Sequence, residues 1–406
     1  MSIKHVSHTC QLWRRLVFEA HWFWTNLVLV GGQGATFANV RAKLAHYVAR
    51  TNGHPISLKI GEAPAEVPNI FLDNVFSNVV APWSSICFIV KCIHNIHTFL
   101  HYYHKYPSQI GHLSEVALTL EEEDEDSDFS VDFDFTSLIS LRSLTLDIES
   151  LDISLLKVNW RSLVSLTLCA SASPAEYLDV VCQCHHLENL SITPDPEDED
   201  DPVAGPVLQL EKLRKLVVTS PTSPVTLFRR LSTPVLEELM LNIPTPFEGE
   251  NDSLNIFLNR MSGYLRVFHC SGGLFLHALS STRHTLANLE TLRLFQEYDD
   301  DDCAHIFELF VHATSKSQPT HQFFHLEVLE ILDHPPLTAE DARLVVEMSQ
   351  SRGEAELEHV GYKPDEVPRP LKRVVNTESF EDQDRDFSVM DELLKAHENG
   401  LLVHSL

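Results

Sequence analysis

The chain has 406 residues, 44% hydrophobic and 22% charged, which supplies a large core and excludes wholesale disorder. One globular core usually stops growing below that length, so either two domains or a stack of repeats is expected. Thirty Lys+Arg against 58 Asp+Glu give a net charge of −28, a balance that repels phosphate backbones and anionic lipid heads and argues against nucleic acid and membrane surfaces as partners.

No run approaches the ~18 apolar residues of a membrane span, and Arg14-Arg15 stands where a signal peptide carries its apolar segment. A cytoplasmic or nuclear protein is expected. Cysteines at 10, 87, 92, 169, 182, 184, 270 and 303 lack the paired spacing of a disulfide framework, so reduced, mostly buried thiols are the simpler reading.

The first 24 residues hold three of the five tryptophans, Trp13, Trp22 and Trp24. From residue 27 an internal repeat takes over. Weak copies at Leu27-Leu29, Ile56-Leu58-Ile60 and Trp83-Ile86-Phe88 lead into nine clear copies of Leu-x-x-Leu-x-Leu that begin at 113, 141, 163, 187, 213, 236, 265, 289 and 326. A further copy follows at Leu371-Val374. Most intervals fall in or near the leucine-rich-repeat range of roughly 20–29 residues. The x-Leu-x-Leu alternation predicts a short strand with one buried face, and the intervening residues return the chain, in part as helices. Leu178, Val181 and Cys182 form one helical stripe, Leu254, Phe257, Leu258 and Met261 a second, Ile306, Leu309, Phe310 and Ala313 a third. The fold class is therefore α/β, an irregular leucine-rich-repeat solenoid with parallel strands inside and helices outside. Residues 1–26 form a helical cap, 27–375 the solenoid and 376–406 a C-terminal cap whose stripe is Phe387, Met390, Leu393 and Leu394. Eight ladder positions, Glu121, Glu149, Ser171, Asp195, Pro221, Pro244, Gly273 and Glu297, lack asparagine, so the turns must satisfy their backbone by other means.

Cys10, Trp13, Arg14, Leu16, Val17 and Trp24 lie in a stretch that resembles the second half of an F-box, with His21 in place of the usual Pro and Phe23 in place of Leu. Val40 to Ile60, Met348 to Arg352 and Asn399 to Leu402 are similar to segments of mushroom-type fungal F-box proteins with irregular leucine-rich repeats. The Leu-Pro-x-Glu helix that opens an F-box has no counterpart, so the resemblance is to a truncated one. It implies a substrate receptor of a cullin-RING (SCF-type) ubiquitin ligase, in which Cys10, Trp13, Arg14, Leu16, Val17 and Trp24 contact a Skp-type adaptor. The other expectation is that Trp13, Trp22 and Trp24 only cover the first apolar layer of the stack.

Four acidic runs follow predicted strands: Glu121, Glu122, Glu123 and Asp124 onward; Asp195 to Asp201, with Asp198, Asp200 and Asp201; Glu248 to Asp252; and Asp299, Asp300, Asp301 and Asp302. Stacking repeats places such runs on one rim, as solvated loops or as a docking edge for a basic protein. None carries a calcium-loop pattern. Cys182-Gln183-Cys184-His185-His186 lacks a second ligand pair and reads as core packing by Cys182 beside exposed histidines. Gly31-Gly32-Gln33-Gly34 lacks phosphate-loop spacing, and His94, His97, His101 and His104 read as a polar helix surface. Gly353 to Pro370 reads as an inserted loop. No nucleophile–base constellation, metal site or cofactor motif is present, so a protein-binding module is expected rather than an enzyme. The alternatives are a stand-alone scaffold or inhibitor that binds a basic protein through the acidic rim and, more distantly, a metal-dependent enzyme.

Overall fold

Leu-x-x-Leu-x-Leu becomes structure in two steps. The amide of the first leucine closes a turn on the carbonyl three residues back: Leu113 on Ile110 at 2.9 Å, Leu141 on Leu138 at 3.1 Å, Leu163 on Trp160 at 3.2 Å, Leu236 on Thr233 at 3.3 Å and Leu289 on Leu286 at 3.2 Å. The chain then extends, and the second and third leucines, two residues apart, point into the same core. In the copy at 141, Leu141, Leu144 and Leu146 are all buried while Ser143, Thr145 and Asp147 are half-buried on the other face.

The computed structural model describes residues 15, 19–30, 37–63, 82–90, 96, 99–101, 104–106, 110–120, 133–196, 205–243, 252–261, 263–281, 285–295, 325–332, 373–376 and 402–405. The chain forms two compact units, Met1–Ala172 with Asp179–Leu187 and Ser173–Leu178 with Glu188–Leu406.

In the first unit, β1 (Asn26–Val30), β2 (Ile56–Ala63), β3 (Trp83–Val90), β4 (Glu115–Leu120), β6 (Ser143–Asp147) and β8 (Ser165–Cys169) lie side by side in that order, all parallel. Between them, β5 (Phe133–Asp134) pairs with β7 (Leu156–Lys157) away from the main ladder. The link from β6 to β8 returns through two 3-10 turns, Ile153–Leu155 and Trp160–Ser162. No α-helix forms in that link. Residues 37–51 form a helix before β2, which ends at Asn52 and Gly53 with φ of 51° and 80°. Glycine reaches that left-handed conformation without steric cost.

In the second unit the parallel order is β9 (Asn189–Thr193), β11 (Lys215–Thr219), β13 (Glu238–Asn242), β14 (Val267–Ser271), β15 (Thr291–Phe295), β16 (Val328–Leu332), β17 (Arg373–Asn376) and β18 (Leu402–Ser405). A small pair, β10 (Leu208–Gln209) and β12 (Leu231–Ser232), lies outside it. The returns carry helices Val225–Arg230, Asp252–Asn259 and Gly272–Ser281. Phe228 stacks on Phe257 with centroids 5.5 Å apart, so successive returns share one core. The helix Pro174–Val181 starts at a capping box: Ser173 N donates to Glu176 Oε2 at 2.8 Å, and Glu176 N donates to Ser173 Oγ at 3.3 Å.

Every position at which the repeat was read carries a strand, and β18 adds one inside the segment expected to be a terminal cap. The helical stripes at 306–313 and 386–397, the Gly31–Gly34 turn and the 353–370 loop lie outside the described residues. Among the described residues no helix is long and apolar enough to cross a membrane. The strand exits solve the missing asparagine ladder with other groups. Ser171 N donates to Glu149 O at 2.6 Å and Ser220 N to Asn242 O at 3.0 Å, while the hydroxyls of Ser220 and Tyr177 donate to Pro194 O and Thr193 O at 3.2 and 3.1 Å.

At the strand starts one carbonyl accepts from two successive amides of the next repeat, as Glu188 O does from Arg214 N and Lys215 N at 2.8 and 3.0 Å. The same contact recurs through Glu237, Arg266, Glu290 and Glu327. It aligns a column of side chains, Glu188, Arg214, Glu237, Arg266, Glu290 and Glu327, in which charges alternate over the first five positions. Arg214 Nη1 lies 2.5 Å from Glu237 Oε1, with side chains 60% and 40% exposed. Exposed pairs contribute only about 0.2–1 kcal/mol, whereas truncating a buried leucine costs roughly 2–5 kcal/mol. Leu239→Ala, at a 1% exposed position, is therefore expected to lower unfolding stability several-fold more than Glu237→Lys, which sets three cations in a row. Denaturant titration of both variants checks this, and equal losses would mean that the charge column rather than the leucine core holds the ladder.

Candidate binding face

The parallel register sets the first, third and fifth residues of β6, β8, β9, β11, β13 and β15 on the face opposite the core. In the first unit that face carries several small side chains together with Lys59 and Glu115. Ser85, Glu115, Ser143 and Ser165 are successive neighbours in one row; Lys59, Cys87, Ala117, Thr145 and Thr167 are neighbours in the next. Burial raises the Cys87 thiol above its ordinary range, and Lys59 on one side and Glu115 on the other act in opposite directions.

The second unit's face is different. Val217, Met240, His269, Arg293 and Glu330 form its central row, each aligned with the next. Phe295, on the same strand as Arg293, meets the His269 ring edge to face at 5.6 Å. Two ion pairs flank the apolar members: Lys215 Nζ to Glu238 Oε2 at 2.9 Å and Arg293 Nε to Glu330 Oε2 at 2.5 Å. The Glu330 side chain is only 16% exposed, so this second pair is the better shielded from solvent.

Of the residues expected to contact an adaptor, Trp24 is described and is 4% exposed. Its ring lies edge-on to His46 and Tyr47 at 5.5 and 5.3 Å, with the Arg50 guanidinium 5.0 Å over its face. The helix 37–51 therefore takes up this tryptophan. The neighbouring 3-10 turn is tied down by His21, whose Nδ1 donates to Arg50 O at 2.9 Å. Of the tryptophans expected to cover the first layer, Trp22 does not: it is 65% exposed and, among the described residues, stacks on Phe23 at 3.8 Å, because the turn directs residues 22 and 24 to opposite sides. Cys10, Trp13, Arg14, Leu16 and Val17 lie outside the described residues, as do all the named acidic-rim positions, Glu121 to Asp124, Asp198, Asp200, Asp201 and Asp299 to Asp302.

The Cys182–His186 segment also needs a correction. Cys184, not Cys182, enters the core, while Cys182 is exposed and donates its thiol to Asp179 O at 3.0 Å. The helix stops at Val181, and a tight turn with Cys184 N on Val181 O shifts the inward phase by two residues. His185 and His186 are exposed, and among the described residues no three His, Cys, Asp or Glu side chains assemble as a metal site.

None of the five described cysteines is in a disulfide. Burial, with Cys182 adding to it, pushes Cys184 up to about 12, and full burial pushes Cys270 well above its ordinary range. Only the thiolate alkylates readily. Iodoacetamide at pH 8 is expected to modify Cys182 first, Cys87 more slowly, and Cys184 and Cys270 only on unfolding. Peptide mapping by mass spectrometry reads the order, and early modification of Cys184 would mean that the turn after Val181 is open. No family profile matches this chain, and no curated protein sequence matches it.

Proposed function

We propose that the chain is an F-box-derived leucine-rich-repeat protein that recognises another protein on the open face of its parallel sheet and acts as the substrate receptor of a cullin-RING ubiquitin ligase. The observation that carries the reading is the in-register ladder, in which buried leucines hold the strands while every alternate side chain is presented outward. Such a face is long, gently varied and built from rigid strands, which suits a protein surface better than a small molecule. In this reading the ligase partners supply the chemistry and the chain supplies recognition alone. The adaptor is engaged by the Trp-rich segment around Trp13 and Leu16, and the burial of Trp24 against the helix 37–51 supports a folded base for that segment.

The net charge of −28 favours a second reading, a stand-alone scaffold that holds a basic protein through its acidic runs without ubiquitin machinery. The two readings differ in whether the N-terminal segment engages an adaptor. Co-expression with a fungal Skp-type adaptor, followed by gel filtration, is expected to give co-elution that a Trp13→Ala, Leu16→Ala double variant loses. A folded chain that elutes alone would overturn the ligase reading and leave the scaffold.

A further inference from the structure

On the second unit's open face two cationic side chains are paired within the face itself. Lys215 is matched by Glu238 and Arg293 by Glu330, so these four side chains add no net charge. What the face offers a partner is the half-buried strip of Val217, Met240, His269 and Phe295. Methionine provides polarisable, adaptable surface, and the edge-to-face His269–Phe295 pair provides a flat, stiff one beside it. This is the composition of a contact core, apolar and aromatic with charge at its border.

Charge complementarity selects the kind of protein that fits. The chain carries −28, and the strands that supply Met240 and Phe295 run on in sequence into Glu248, Glu250 and Asp252 and into Glu297 and Asp299. An acidic partner is repelled at long range and finds Lys215 and Arg293 already matched. A basic partner is drawn in, and its cations are left for the surroundings of the strip rather than for the strip itself.

We infer that the Val217–Met240–His269–Phe295 strip docks a segment of a basic partner protein that lays a large apolar side chain on Met240 and Phe295, with lysine or arginine on either side. The inference deepens the protein-recognition reading above and does not depend on the adaptor.

Phage display of random peptides against the purified full-length chain tests it. Enriched peptides are expected to share a Leu, Met or aromatic residue flanked by Lys or Arg. Fluorescence polarisation with one such synthetic peptide should show binding that falls with added salt and weakens about tenfold or more in a Met240→Ala, Phe295→Ala double variant, the loss expected for a contact-core pair. Ile139→Ser, at a 74% exposed turn position of the first unit away from the sheet face, should leave affinity unchanged. If the double variant melts early, the single variant Val217→Ser serves in its place, with a loss of about threefold. Failure to enrich any peptide, enrichment of peptides without basic residues, or binding indifferent to the strip variants would each overturn the inference. Adaptor co-elution is read on a separate segment, so failure of the ligase reading and failure of the strip are told apart.

Discussion

The structure depends on one repeated constraint, the junction at which a turn-closing leucine hands over to a parallel strand. There a single carbonyl accepts two successive amides from the next repeat, as Arg142 O does from Val164 N and Ser165 N at 2.8 and 3.0 Å. That contact fixes both the start of the strand and its register against the neighbour. A one-residue slip would turn every buried leucine outward, and each fully buried leucine is worth roughly 1.5–3 kcal/mol of transfer free energy. Register and burial therefore enforce each other, and the returns are free to vary. They form a helix after Ser173, 3-10 turns after Asp152 and Asn159, and a helix that follows β14 at once, where buried Ser271 Oγ accepts the amide of Leu274 at 3.3 Å.

The same register turns sequence offset into spatial adjacency. Glu188, Arg214, Glu237, Arg266, Glu290 and Glu327 each stand one residue after the first leucine of their motif, and the backbone contact makes each a neighbour of the next. Opposite charges next to each other contribute little stability in water, but exchanging two adjacent repeats among the first five would set like charges side by side. The column thus discriminates the correct order of strands more than it strengthens it.

That logic marks how far the sequence was legible. The strands were, because three apolar positions at fixed offsets outweigh any local propensity. The ion pairs on the face were legible in principle: Arg293 and Glu330 both stand four residues after their first leucine, Lys215 and Glu238 both two. The helix start at Ser173-Pro174-Ala175-Glu176 carried a capping-box signal. Local phase was harder to read. Cys182 fits a helical stripe until the helix ends one residue earlier, and Trp22 and Trp24 look equivalent until a 3-10 turn separates them. β18 was hidden because Leu401, Leu402 and Val403 are a short apolar run without the leading turn leucine, after a stretch with helical periodicity.

The division of labour between the two faces of each strand explains how one ladder carries different chemistry along its length. Inward positions are held by volume, since a lost methylene leaves a cavity in a close-packed core. Outward positions bear no such restraint: Ser and Thr hold the first two of them in β6 and β8, beside Ala117 of β4, where Val217, Met240, His269 and Phe295 stand in the second unit. Because Lys215 and Arg293 are paired within the second unit's face, long-range electrostatic attraction is assigned to the excess carboxylates of the chain. Long-range charge then governs the rate of encounter, and the close fit of apolar side chains governs how long the partner stays. Selectivity on such a surface comes from requiring both in one partner segment, since neither an apolar side chain nor a run of basic residues alone satisfies the strip and its surroundings.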